Sequence, residues 1–130
     1  MKLTYGKQDK LKSKKAIEQL FLEGDSVVSY PLRLVYLNAE HASSKVFQLG
    51  VSVPKRKVNK AVDRSRIKRV LREVYRLHQN EFLLETEQKY IGMLMYLDSK
   101  EWSSASLVPK IQKLALKFKE QVSGEQLTKI

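Results

Sequence analysis

Residues 49–77 read LGVSVPKRKVNKAVDRSRIKRVLREVYRL, and this stretch decides the fold. Val46 to Val53 is an apolar run rich in β-branched residues and reads as a strand. Pro54 closes it, because proline has no N–H to continue a ladder. A basic loop follows, Lys55-Arg56-Lys57-Val58-Asn59-Lys60. From Asp63 to Leu77 the period becomes helical: Ile67, Val70, Leu71 and Val74 form one narrow apolar stripe at i, i+3, i+4 and i+7. At about 100° per residue, Lys68, Arg69, Arg72 and Arg76 lie on the opposite half of the cylinder, with Ser65 among them. Arg64 and Arg66 flank the stripe in the first turn. One side of this helix suits a core and the other an anion.

Working outward, Met1 to Lys12 has little periodicity and reads as a basic arm or loose strand. Ser13 is placed to cap a helix reaching Glu23, with Ile17, Leu20 and Phe21 on one stripe. Gly24 stands where helices commonly stop in the left-handed conformation. Lys14 and Lys15 occupy the first turn, against the positive end of the helix dipole, which points to an anion outside the chain. Val27–Val28 and Leu32–Leu37, separated by Tyr30-Pro31, read as a strand with a bend or bulge. Asn38 to Lys45 is a polar turn. Glu81 to Glu87 either extends the arginine helix or opens a loop. Tyr90 to Leu97 reads as a buried strand with Gly92 as a weak point, and Asp98 to Ser106 as a turn. Leu107 to Val122 is helical again, with Pro109 tolerable only in its first turn. Residues 124–130 are expected to fray.

The order helix, strand, strand, helix, strand, helix predicts an α+β fold: a single mixed β-sheet packed with helices, with room for an extra short strand. The loop and helix between the second and third strands allow these to run parallel, and spacing alone does not give the handedness. The chain's 130 residues fit one domain, 1–130.

Composition narrows the class. With 42% hydrophobic and 30% charged residues the chain is globular rather than disordered. It contains no cysteine, so disulfides, thiolate metal sites and cysteine nucleophiles are excluded together, as a reducing compartment permits. No apolar run approaches the roughly 20 residues that span a bilayer, and no apolar stretch follows the lysine-rich start. A soluble, cytoplasmic protein is expected.

The net charge of +11 is unevenly placed. Ser52 to Arg76 holds ten basic residues against Asp63 and Glu73, and Met1 to Lys15 holds six lysines against Asp9; the other 90 residues sum to −2. Two concentrated blocks point to a polyanionic partner rather than general solubility. Of the six basic residues between Arg64 and Arg76, five are arginine, whose planar fork suits bidentate phosphate contact. The basic loop also feeds a helix start whose N–H groups can hold phosphate. A solvated face is the plainer reading of such a helix, but these features together favour nucleic acid.

Chemistry of other kinds is poorly supported. His41 and His78 have no serine or carboxylate at a telling distance, so no catalytic triad is marked. The acidic residues are scattered, without the clustering a two-metal nuclease needs. The five glycines form no phosphate-cradling loop. No catalytic or metal-ligating residue is expected in this chain.

The Leu49-Gly50-Val51-Ser52-Val53 strand, the basic loop and the Arg64-Ser65-Arg66-Ile67-Lys68-Arg69-Val70-Leu71-Arg72-Glu73 helix together resemble the signature of the bacterial ribonuclease P protein component. Leu11-Lys12, Phe21 and Gly24 are similar to the family's opening helix. The likeness covers Leu11 to about Arg76, and the last third only in its strand-then-helix order. Ser65 replaces the central asparagine of the arginine motif, keeping a hydrogen-bonding group without the amide's paired donor and acceptor. Ile17 stands where many relatives carry phenylalanine, and Tyr96 to Lys100 lacks an arginine often found there.

What the resemblance implies is a subunit that does not itself cut RNA. A large RNA subunit performs hydrolysis with Mg2+ that it mainly holds, removing the 5′ leader from precursor tRNA; the protein fold needs no cofactor. The protein docks on that RNA through the loop and helix, here Lys55, Arg56, Lys57, Asn59, Lys60, Arg64, Ser65, Arg66, Lys68, Arg69, Arg72 and Arg76. It holds the leader in a cleft between the first helix and the sheet, here with Lys12, Lys14, Lys15, Ile17 and Phe21. A left-handed crossover presenting the arginines is implied as well. The expected partners are the RNA subunit and precursor tRNA, with no membrane, small-molecule substrate or oligomer. The alternative is a ribosomal or chaperone-like RNA-binding protein with no role in cleavage. A helix-turn-helix DNA regulator fits less well, because a strand and not a helix precedes the arginine helix.

Overall fold

Tyr90–Tyr96 is apolar at every position because it is the strand buried on both faces. In the computed structural model, which describes residues 4–84 and 87–128 with side chains to residue 123, this strand is β4. The elements in order are α1 (Lys14–Glu23), β1 (Asp25–Ser29), β2 (Leu32–Asn38), β3 (Phe47–Ser52), α2 (Ala61–His78), β4 (Tyr90–Tyr96) and α3 (Ser104–Thr128). Single 3-10 turns occupy Lys7–Asp9 and Gln79–Phe82. The sheet runs β1-β2-β4-β3; β1 and β4 both pair antiparallel with β2, and β3 pairs parallel with β4. Three helices on one four-stranded mixed sheet make this an α+β fold.

Register separates two cores. Leu34 pairs with Leu94, and Tyr36 with Gly92, on the face covered by α2 and α3, where Phe47, Leu71, Ile111 and Phe118 are fully buried. Val35 pairs with Met93, and Leu37 with Ile91, on the opposite face, where α1 contributes Leu20 and Ile17 to a smaller cluster. Gly92 is not a weak point. A Cβ there would lie 2.8 Å from the Phe47 ring, so its absence makes room for that ring in the larger core.

Several local expectations are corrected. Val27–Val28 and Leu32–Leu37 are not one bent strand but β1 and β2, an antiparallel pair joined through Tyr30-Pro31, whose peptide bond is cis. Ser13 does cap α1, its Oγ accepting from Ala16 N at 3.3 Å. Gly24, however, is extended (φ −76°, ψ 157°) rather than left-handed. Its reason is close approach: a Cβ there would lie 2.4 Å from the Leu20 carbonyl oxygen and 2.8 Å from that of Tyr36. The segment ahead of α1 is docked rather than loose. Leu11 N donates to Leu49 O at 3.1 Å, and Asp9 accepts from Ser43 Oγ and from Lys45 Nζ.

The arginine helix starts two residues earlier than Asp63, at Ala61, and passes into the Gln79–Phe82 turn. Helix α3 starts at Ser104, so Pro109 falls in its second turn, where its missing N–H removes one helical bond. Ser103 caps that start, its Oγ accepting from Ser106 N at 3.2 Å. The helix continues to Thr128, into the segment expected to fray; Lys129 and Ile130 lie outside the described residues.

Candidate nucleic-acid interface

Helix α2 buries Ile67, Leu71, Val74 and Tyr75, and this burial sets which way its charges point. Ser65, Lys68, Arg69, Arg72 and Arg76 fall within an arc of about 100° on the other side. With Tyr5 and Glu73 they line a shallow depression of about 470 Å³. Tyr5 was not expected at this site. Its ring meets Tyr75 edge-on at 5.8 Å, its hydroxyl donates to Leu49 O at 2.5 Å, and Lys10 Nζ lies 5.6 Å above it. Burial pushes its phenol up to about 12, against the opposing pull of Arg72.

The predicted cations divide into two groups. Lys68, Arg69 and Arg72, and the exposed loop residues Lys55, Arg56, Lys57 and Lys60, form no ion pair among the described residues. The other three are engaged within the protein. Arg64 donates from Nη1 to the Val58 and Asn59 carbonyls, both at 2.9 Å, and so ties the basic loop to the helix. Arg66 donates from Nε and Nη2 to Glu101 Oε1 at 2.9 and 2.5 Å, and from Nη2 to Asp63 Oδ1 at 2.7 Å. Hydrogen bonding to Glu101 raises its basicity above the ordinary guanidinium value. Arg76 grips Glu73 with two bonds of 3.1 and 2.5 Å, which hold the Glu73 carboxyl below its usual range. Lys60 is the N-cap of α2 and supplies no capping hydrogen bond, so the first-turn N–H groups are available to an anion.

A second surface lies across the sheet. Leu20 is fully buried, whereas Phe21, the next residue, is 49% exposed and Ile17 is half-buried. Lys12, Lys14 and Lys15 are exposed at the start of α1. Arg33 shares this sheet face, its register partner Met95 in turn paired with Ser52. Strand alternation would have found Arg33: it is flanked by Leu32 and Leu34, so it must face the side opposite to theirs.

The remaining reactive side chains are tied into local structure. His41 Nε2 lies 3.0 Å from Val46 O while its Nδ1 accepts from Ser43 N, and His78 pairs with Glu81 at 2.8 Å. Among the described residues no three His, Asp or Glu side chains converge as they would on a metal ion. No described helix is long and apolar enough to cross a membrane.

A one-sheet α+β scaffold carrying a long cationic helix defines a polyanion-binding protein. The family model for ribonuclease P matches residues 5–119, and the chain belongs to that family. It is thereby a component of ribonuclease P, an endoribonuclease complex of tRNA processing. The ribonuclease P protein component of Porphyromonas gingivalis is 38% identical over 103 residues, covering 75% of this chain and 74% of that one. The Staphylococcus aureus RNase P protein structure superposes with a TM-score of 0.63 at 22% identity, over 83% of this chain and 93% of that one. The Thermotoga maritima RNase P protein gives 0.59 at 16% identity, over 86% and 96%. These two share the fold.

Proposed function

We propose that this chain binds the catalytic RNA of ribonuclease P through α2 and the loop before it, and holds the 5′ leader of precursor tRNA in the cleft between α1 and the sheet. The observation that carries the first half is the run of Lys68, Arg69 and Arg72 along one helix face, extended by Lys55, Arg56, Lys57 and Lys60. These charges lack internal ion-pair partners among the described residues, and the one carboxylate lining the same depression, Glu73, is held by Arg76, so phosphates can meet them. Ser65 adds a hydroxyl inside the same arc. The second half is supported by the half-exposed Phe21 ring and the half-buried Ile17, beside the exposed lysines of α1. An aromatic ring stacks on any base, and nearby cations follow the backbone, so such a cleft holds a single strand without reading its sequence.

Hydrolysis and its Mg2+ fall to the RNA in this reading. The acidic side chains near the cationic face are taken up by cations, Asp63 and Glu101 by Arg66 and Glu73 by Arg76. The test is reconstitution with the cognate RNA subunit. Cleavage of precursor tRNA at low Mg2+ should rise sharply when this chain is added. No stimulation, or cleavage by the protein alone, would sink the proposal.

A further inference from the structure

A cavity of about 330 Å³ opens at the C-terminal end of α2, and neither surface described above uses it. That volume lies at the small end of ligand pockets. Phe47, Phe82 and Tyr75 form its walls, with Lys45, Gln79 and Asn80 around them. Two polar groups in it are left over. Tyr75 is only 4% exposed, yet its hydroxyl makes no hydrogen bond among the described residues and is not one of the fully sealed polar atoms, so it is reachable from outside. Gln79 donates from Nε2 to Thr4 O at 2.9 Å and to Arg76 O at 2.8 Å, which leaves its Oε1 as a spare acceptor. A hydroxyl and an amide oxygen on residues that line one cavity, neither with a hydrogen-bond partner among the described residues, are a donor and an acceptor that a polar ligand can use.

The position says which ligand. At about 100° per residue Gln79 falls inside the arc of Lys68, Arg72 and Arg76, one to two turns beyond the last of the unpaired arginines. Thr4 and Tyr75, which line the cavity, directly adjoin Tyr5 and Arg76, which line the cationic depression. A strand whose phosphates follow α2 therefore arrives at an aromatic-walled opening with one donor and one acceptor inside. We propose that this cavity receives a single unstacked nucleobase of the RNA subunit, held against the aromatic wall of Phe47, Phe82 and Tyr75 and hydrogen-bonded by Tyr75 and Gln79. Recognition of a splayed-out base by rings and edge hydrogen bonds is how proteins take hold of single-stranded RNA.

The inference rests on α2 being the RNA-subunit face, and its test separates the two. Binding of the cognate RNA subunit and of leader-bearing precursor tRNA is measured for wild type, Asn80→Trp, Tyr75→Phe and the double variant Arg69→Ala, Arg72→Ala, with melting temperatures alongside. Asn80 is exposed at the rim, so tryptophan there blocks the opening without entering the core. The expected result is RNA-subunit affinity reduced about fivefold or more by Asn80→Trp and about threefold by Tyr75→Phe, with the salt dependence unchanged. The arginine variant should lower affinity and flatten the salt dependence. Wild-type affinity for both pocket variants, with the arginine variant impaired, overturns the base pocket alone. An arginine variant that binds as wild type overturns the underlying reading. A loss confined to precursor tRNA overturns the assignment to the RNA subunit.

Discussion

Arg66 carries its charge between Asp63 and Glu101, so any phosphate that uses it must displace a carboxylate. Arg69, three residues on, has no such competitor among the described residues and is exposed. The two arginines of one motif therefore respond differently to mutation. Arg69→Ala should weaken RNA-subunit binding about tenfold or more with folding intact, the loss expected for a charge-assisted bond. Glu101→Gln should do the reverse. It frees one side of Arg66 and removes a negative charge beside the RNA, so affinity should rise, by up to about fivefold for an exposed pair. Filter binding or fluorescence titration checks both, and a Glu101→Gln protein that binds more weakly would make the Arg66–Glu101 pair part of the binding surface rather than a competitor. The basic spacing of Arg64 to Arg76 was legible in the sequence, but this division was not. Glu101 lies 35 residues from Arg66, and nothing local marks a pairing over that distance.

The elements that flank the sheet show the same contrast. On α1, adjacent residues meet opposite fates: Leu20 is sealed and Phe21 half-exposed, a split that the family likeness implies and that helical spacing, which sets Ile17, Leu20 and Phe21 on one stripe, does not. Leu20→Ala should cost about 2–5 kcal/mol of stability. Phe21→Ala should cost well under the ~3–5 kcal/mol of a core phenylalanine, while lowering affinity for precursor tRNA with a leader and sparing mature tRNA. Equal loss for both tRNA forms would remove Phe21 from the leader cleft. The segment before α1 was not legible, because its contacts are long-range: Asp9 meets Ser43 and Lys45, and Tyr5 meets Leu49. The β1–β2 pair was also hidden, since Asp25-Ser26-Val27-Val28-Ser29 is short and largely polar, as an edge strand can be. Asp9 gives the docked segment a pH signature. Burial pushes its carboxyl up, but bonds from Ser43, Lys45 and Gly6 outweigh it and hold the group below its ordinary 3.8. A carboxyl lowered on folding stabilises the native state above its unfolded value, and that stabilisation fades as pH falls through the native one. Asp9→Asn should therefore be destabilised by about 1–3 kcal/mol at neutral pH. The gap to wild type should close below about pH 4 in denaturant titrations; a gap of constant size would mean that charge at Asp9 is irrelevant.

At the scale of the whole molecule, the fold brings part of the first basic block of the chain beside the second. Met1 to Lys15 and Ser52 to Arg76 are separated in sequence by β1, β2 and most of β3, yet Tyr5 and Lys10 lie against the α2 face. Folding thus sets Lys10 beside the α2 cations and leaves Lys12, Lys14 and Lys15 across the sheet, and the dense field on α2 persists only if repulsion is offset by the core beneath it or relieved by a polyanion. The offset is visible: Leu71, Val74 and Tyr75 anchor α2 to the aromatic cluster of Phe47, Phe82 and Phe118. Relief by RNA has a measurable form. Each phosphate neutralised releases condensed counterions, at ~0.7–0.9 in log affinity per unit of log salt. If about six of the seven cations on loop and helix without an internal ion pair meet phosphates, RNA-subunit affinity should fall with a slope near −4 to −5. Replacing Lys55, Arg56 and Lys57 together with alanine should make that slope shallower by about 2 to 3. Replacing Arg64 should act otherwise, because its guanidinium already holds the Val58 and Asn59 carbonyls. Arg64→Ala should loosen the loop and lower affinity mainly through stability, with less change in slope than the triple variant. A flat salt response for wild type would mean that the field is solvated rather than matched to RNA. An Arg64→Ala slope as shallow as that of the triple variant would mean that this arginine orders its loop and meets the RNA through the rest of it.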